Sequence, residues 1–210
     1  MADVSIIDYG IGNILSVKRA FEYVGSNVEF ISSPKDIAKA KRVVLPGVGA
    51  FNNGIQALFN LGLVQPIIDY CQSNRPFLGI CLGMQLMLGS SDEFGLHKGL
   101  DLIHGHVKKI SSITLAGTDQ KTPRIGWYPV SRCNDYTTSI MKDVSDIDRF
   151  YFVHSYACHV DNFNFCLATS SYGGHEFSVA IRNGNIYGLQ FHPEKSGNPG
   201  LNIIRNFSIL

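Results

Sequence analysis

The chain has 210 residues, 45% of them hydrophobic, which is enough for one compact domain of roughly 17 Å radius of gyration without a disulfide or metal staple. Eighteen basic against 17 acidic residues give a formal charge of +1, so the footprint of a nucleic-acid binder is missing, and no apolar run reaches the ~18 residues of a membrane span. The five cysteines are odd in number, form no CxxC pair and follow a Met1-Ala2-Asp3 start with no leader pattern, so a reduced, cytoplasmic protein without membrane contact is expected.

Along the first half, apolar runs at 4–7, 28–31, 43–45 and 77–80 alternate with helix-period stretches at 14–24, 34–40, 54–59, 63–71 and 81–88. Buried apolar runs separated by helices predict a parallel sheet covered on both faces. From about residue 99 the texture changes to short runs rich in β-branched and aromatic residues, at 102–110, 124–130, 150–153, 165–170, 177–181 and 186–191. These predict antiparallel or mixed additions. Asn183-Gly184 marks a hairpin, and a closing helix is expected at 200–207. With no repeat and only a loop-like polar stretch at 116–122, the expected class is a single α/β domain over residues 1–210.

The first glycine cluster, Asp8-Tyr9-Gly10-Ile11-Gly12-Asn13, follows a strand and opens a helix, as a dinucleotide fingerprint would. Leu15 stands where the third glycine belongs, so the cluster predicts a tight turn with Asn13 or Ser16 near the helix start. Gly79-Ile80-Cys81-Leu82-Gly83 is sharper. Small residues flanking a central nucleophile permit a strained strand-to-helix turn that lifts the side chain onto the sheet's C-terminal edge, where a helix N-terminus favours a thiolate. His192-Pro193-Glu194 offers that thiolate a base and, two residues on along an extended segment, a carboxylate to orient it. In Pro46-Gly47-Val48-Gly49-Ala50-Phe51 two glycines free the backbone to aim N–H groups at a developing oxyanion. His104, His106, His154, Cys158 and His159 show no closed tetrahedral spacing, so neither metal nor cofactor is expected, and Lys18 and Glu22 read as an exposed i,i+4 pair.

Three strand ends thus carry a nucleophile, an oriented base and a donor loop. Together Gly79–Gln85, Leu45–Phe51 and Gln190–Ser196 resemble the class I (triad) glutamine amidotransferases. The ending His192-Pro-Glu-Lys-Ser196, the opening Ile7–Asn13 and the block Phe152-Val-His-Ser-Tyr156 resemble in particular the glutaminase subunits of imidazole glycerol phosphate synthases, over nearly the whole chain. The resemblance implies a flavodoxin-like fold and a Cys81 thiolate that attacks the carboxamide of L-glutamine. His192 would act as base and acid and Glu194 would orient it. The oxyanion hole would form from the Leu82 N–H and the Gly47, Val48 and Gly49 loop, and Gly49, Gln85, Ser155 and Tyr156 would line the substrate pocket. It further implies a heterodimer with a (βα)8-barrel cyclase of histidine biosynthesis that receives the ammonia and reorients the loop. One segment departs from the pattern: Gly126-Trp127-Tyr128 stands where that subunit has Gly-Trp-Asn, at a place expected to face the partner. A paralogue feeding ammonia to a sugar amidotransferase of surface-polysaccharide synthesis therefore stays open, as do an inactive scaffold subunit and a freestanding cysteine hydrolase.

Overall fold

A computed structural model describes residues 2–210; Met1, the first residue of the Met1-Ala2-Asp3 start, lies outside them. In the first half the chain runs β1 (Val4–Ile7), α1 (Ile14–Tyr23), β2 (Val28–Ile31), α2 (Pro34–Lys39), β3 (Val43–Leu45), α3 (Phe51–Asn60), α4 (Val64–Gln72), β4 (Phe77–Ile80) and α5 (Leu82–Leu86). The second half adds β5 (Ser90–Ser91), β6 (His97–Lys98), β7 (Gly105–Lys109), β8 (Arg124–Tyr128), β9 (Ser131–Arg132), β10 (Phe150–His154), β11 (Tyr156–Val160), β12 (Cys166–Tyr172), β13 (His175–Asn183), β14 (Ile186–Leu189) and α6 (Gly197–Ser208).

The main sheet runs β2-β1-β3-β4-β14-β13-β11-β7-β5-β6. Its first five strands are parallel, with helical crossovers joining β1, β2, β3 and β4 and β14 entering beside β4 in the same direction. Beyond β14 the pairing is mostly antiparallel, starting with the β13–β14 hairpin in which Asn183 sits opposite Ile186 across the turn. Alternate residues of each strand face opposite sides, so Ile6 packs with Phe21 of α1 and Phe207 of α6, while Ile7 packs with Ile37, Leu58 and Ile67 of α2 to α4. Both layers are closed by fully buried side chains. No helix among the described residues is long and apolar enough to cross a membrane.

The strand β11 is absent from the sequence expectations. Its sequence, Tyr-Ala-Cys-His-Val, mixes polar and apolar residues and shows no clean alternation. It forms because the chain bends at Ser155. Before the bend, β10 pairs with β8 in a separate two-stranded ribbon, Val153 opposite Ile125; after it, β11 pairs with β7 in the main sheet, Tyr156 opposite Lys109. The parallel strands β1, β3, β4 and β14 end at one edge, where ligands bind in open α/β sheets.

Candidate active site

Cys81 stands at the end of β4 with φ of +54°, a left-handed conformation that a residue with a Cβ seldom adopts. Its neighbours must be glycine for reasons of space. A Cβ on Gly83 would run into the Leu45 carbonyl, and one on Gly79 would meet the Met87 sulfur and the Gly83 backbone. The turn is tied down by the Cys81 N–H, which donates to the Leu189 carbonyl at 2.7 Å, and by the Gln85 N–H, which donates to the Cys81 carbonyl at 3.2 Å.

His192 follows β14. Its Nδ1 lies 2.8 Å from Glu194 Oε1, with both side chains buried. The two meet through a short 3₁₀ turn at Pro193–Lys195, not through the extended segment expected from sequence. The His192 N–H donates to the Tyr151 carbonyl, and Ser196 Oγ donates to the His192 carbonyl while accepting from the Tyr151 N–H, so the backbone of this turn is locked to β10. Nε2 is buried without a hydrogen-bond partner among the described residues, and Cys81 is one of the two groups that act on the ring. Burial pushes the imidazole's pKa down, but the Cys81 sulfur and the Glu194 carboxylate together outweigh it and raise the pKa to about 10.

The loop Pro46–Ala50 rises from β3 beside the elbow. Its Gly47 carbonyl accepts from the Leu82 N–H at 3.3 Å, so this amide is occupied. The hydroxyl of Tyr9 donates to the Pro46 carbonyl at 2.8 Å and fills the space where a Gly47 Cβ would stand; Gly12 closes against the other side of Gly47. The first glycine cluster is therefore a strut under the loop, with Asn13 capping α1 as expected. Gly49 has φ of +109°, and Val48 is 44% exposed. Ala50 begins α3 without a side-chain cap, and Glu93 supplies one from the loop after β5, accepting from the Phe51 N–H at 2.6 Å.

Between these elements lies a cavity of about 440 Å³, walled by Cys81, Leu82, Gly49 and Val48 on one side and by Gln85, Glu93, Pro123 and the β10–β11 bend Val153–Tyr156 on the other. Gln85 Nε2 donates to the Tyr156 carbonyl and to Gln190 Oε1, each at 3.1 Å. Cys81, Leu82, Val48, Gly49, Gln85, Ser155 and Tyr156 thus share one cavity, His192 and Glu194 sit behind the sulfur, and Gly47 lies at the rim beneath Leu82. Glu93 carries no signal in the sequence, and His154 and Gln190 lie in the blocks Phe152–Tyr156 and Gln190–Ser196 without a site role assigned to them. Glu93 sits in a polar loop with no periodic signal, while His154 and Gln190 are buried polar residues inside apolar runs, the one signal that could have found them. His154 is neutral: burial pulls its pKa down to about 3.

The remaining histidines lie elsewhere. His104 pairs with Asp101, and His106 stacks on His159 across β7 and β11. Among the described residues no group of three or more His, Cys, Asp or Glu is arranged to hold a metal ion. Lys18 and Glu22 form a surface contact at 3.6 Å.

Residues 5–210 match the family model for glutamine amidotransferase class-I. The chain is 47% identical over 210 residues to imidazole glycerol phosphate synthase subunit HisH 1 of Legionella pneumophila (strain Paris), covering 99% of each chain. It is 45% identical over 210 residues to subunit HisH of the same synthase in Geobacter metallireducens, covering 100% of this chain and 99% of that one. A solved structure of PurLQS from Thermotoga maritima superimposes with a TM-score of 0.71 at 18% identity, over 97% of this chain and 96% of the other.

Proposed function

Because the chain belongs to the class-I glutamine amidotransferase family, we propose that it hydrolyses L-glutamine through Cys81, His192 and Glu194 and delivers the ammonia to a cyclase subunit of imidazole glycerol phosphate synthase. The observation that carries this reading is the meeting of an elbow cysteine and a carboxylate-oriented imidazole at one cavity.

In this reading the Cys81 sulfur attacks the side-chain carbonyl carbon of glutamine, and the imidazolium of His192 gives its proton to the departing nitrogen. Ammonia leaves and a γ-glutamyl thioester remains. Neutral His192 then takes a proton from water, which attacks the thioester; glutamate leaves and the sulfur regains its negative charge beside the imidazolium. A raised imidazole pKa suits this cycle, because the proton is already on the ring when the first bond forms. Gln85, with both amide hydrogens occupied, keeps its Oε1 for the substrate's α-ammonium, and the Glu93 carboxylate adds charge of the matching sign. Ser155 and Tyr156 form the opposite wall.

The oxyanion hole needs one movement. A planar trans peptide points its C=O and N–H in opposite directions, and the Gly47 carbonyl and Val48 N–H belong to one such peptide. While that carbonyl covers Leu82, the Val48 N–H faces away. Turning this one peptide over frees the Leu82 N–H and brings in the Val48 N–H, and Gly47 lacks the Cβ that would resist the turn. A partner that triggers the turn would prevent ammonia from being released and protonated in water.

A docking face is available beside the cavity. Ile125 and Trp127 of β8 and Tyr151 and Val153 of β10 share the outer side of the ribbon, Trp127 being 62% exposed, with Lys195 over the Tyr151 ring. Tyr128 is on the inner side. It stacks at 4.1 Å on the guanidinium of buried Arg124, among Phe152, Tyr172 and Phe177, so its substitution for the family asparagine is absorbed within the hairpin. This favours the cyclase of the histidine pathway over a sugar amidotransferase, and a heterodimer with that cyclase in the cytoplasm completes the reading.

Glutamate release measured alone, with the cyclase and its ribonucleotide ligand, and with a sugar amidotransferase tests the reading. Strong stimulation by the cyclase that disappears in Cys81→Ala is expected. Stimulation by the sugar amidotransferase alone would overturn the pathway, and full activity of Cys81→Ala would overturn the mechanism.

A further inference from the structure

Beneath the elbow lies a closed hydrogen-bonded chain that the mechanism above does not use. Gln190, directly after β14, is fully buried. Its Oε1 accepts from Gln85 Nε2 at 3.1 Å and from the thiol of Cys158 at 3.8 Å, and its Nε2 donates to Cys81 Sγ at 3.8 Å, within the longer reach of a sulfur acceptor. The direction of each bond follows from the far end. The Tyr156 carbonyl can only accept, so the group of Gln85 facing it is the NH₂. The same NH₂ faces Gln190, which must turn its oxygen toward it. Gln190 therefore has only its own NH₂ left to present to Cys81.

Cys158 fits the same sequence of constraints. Its thiol is fully buried on β11, and burial drives its pKa upward, so it stays protonated and serves as a donor. An uncharged N–H donor held against a sulfur favours its ionised form, since a thiolate accepts hydrogen bonds far better than a thiol. A buried amide without this network would not be held in one orientation.

We infer that Gln190 is a positioning residue for Cys81: its amide, fixed by Tyr156, Gln85 and Cys158, holds the sulfur at the elbow and stabilises its thiolate from the side opposite the substrate. The inference rests on Cys81 being the nucleophile but not on the identity of the substrate or partner. It also gives Gln85 two duties, one toward the cavity and one toward the sulfur.

Alkylation of Cys81 by iodoacetamide, followed by mass spectrometry of the Cys81 peptide across a pH series, reads the sulfur directly. His192, Tyr9 and Cys158 interact with Cys81, and Glu93, His154 and Tyr156 line the same cavity; all are retained in the first variant. In Gln190→Met, which keeps the volume and removes the donor, the profile should move up by about one pH unit, lowering the rate about tenfold on the rising limb of the parent profile. Partner-stimulated kcat should fall by more than KM for glutamine rises, because Gln85 keeps its bond to the Tyr156 carbonyl. Cys158→Val, which removes only the thiol donor to Oε1, should move the profile the same way by less, and Cys158→Ser should restore it. Both variants folding with profiles that superimpose on the parent would overturn the inference, and so would an unmoved Cys158→Val profile if Gln190→Met does not fold. A failed glutaminase assay with shifted alkylation profiles would instead overturn the proposed function alone.

Discussion

The elbow corner and the donor loop lie within one cavity and differ in readiness. At the corner, Cys81, His192 and Glu194 are buried and fixed by backbone and side-chain hydrogen bonds, and the imidazole already favours its protonated form. At the loop, Val48 stands out in solvent and the Gly47 carbonyl occupies the amide that an oxyanion would need. In the proposed reading the nucleophile and its base are therefore set by the fold, while the electrostatic stabilisation of the transition state is held back in a glycine-rich segment. Steric need separates the glycines in the same way: Gly83 has no room for a Cβ, whereas around Gly49 a Cβ would meet nothing, and only its positive φ asks for glycine.

The contrast is sharpest where the corner is disturbed. Glu194→Gln keeps the shape but lets the imidazole lose its proton and its orientation, so partner-stimulated kcat should fall by about 10²-fold or more. Steady-state kinetics with the cyclase present would check this, and an unchanged kcat would mean that the carboxylate is only structural. The two glycines come next. Gly83→Ala should lower stability by about 3 kcal/mol through the collision with Leu45, and Gly49→Ala by about 1 kcal/mol through backbone strain, as read from denaturant midpoints. Equal losses would erase the distinction between corner and loop.

The smallest effect concerns pH. His192 is raised from its unfolded value near 6.5 to about 10, so its stabilising contribution is fully present below pH 6.5 and is lost as pH rises from there through about 10. Cys81→Ala removes one of the two groups that raise it, and NMR titration of His192 in that variant should give a midpoint well below 10. A midpoint that stays put would assign the whole effect to Glu194.

Much of this arrangement was legible in the sequence because periodicity and glycine spacing are local. The parallel half follows from apolar runs such as Val43–Leu45 between amphipathic helices, and the elbow from Gly79 and Gly83 around Cys81. What escaped reading depends on distant partners. The strand Tyr156–Val160 exists because β7 offers an edge to it. Tyr9 belongs to an unremarkable turn until Pro46 is beside it, and Glu93 is a polar loop residue until α3 lacks a cap. From sequence Tyr128 is expected to face a partner, yet strand alternation with Arg124 turns it inward. The covered Leu82 amide is a matter of one peptide's orientation, which no residue type encodes.

In the proposed reading the corner is ready at rest and the oxyanion site is not. Alkylation of Cys81 needs a thiolate but no oxyanion hole, whereas glutamine hydrolysis needs both. The direct test is to measure the two rates on one preparation with and without the cyclase. Glutamate release should rise by about 10²-fold or more when the peptide turns, while the alkylation rate of Cys81 stays the same or falls through shielding. A parallel rise in both rates would show that the partner activates the cysteine itself, and would contradict a corner that is complete before the partner arrives.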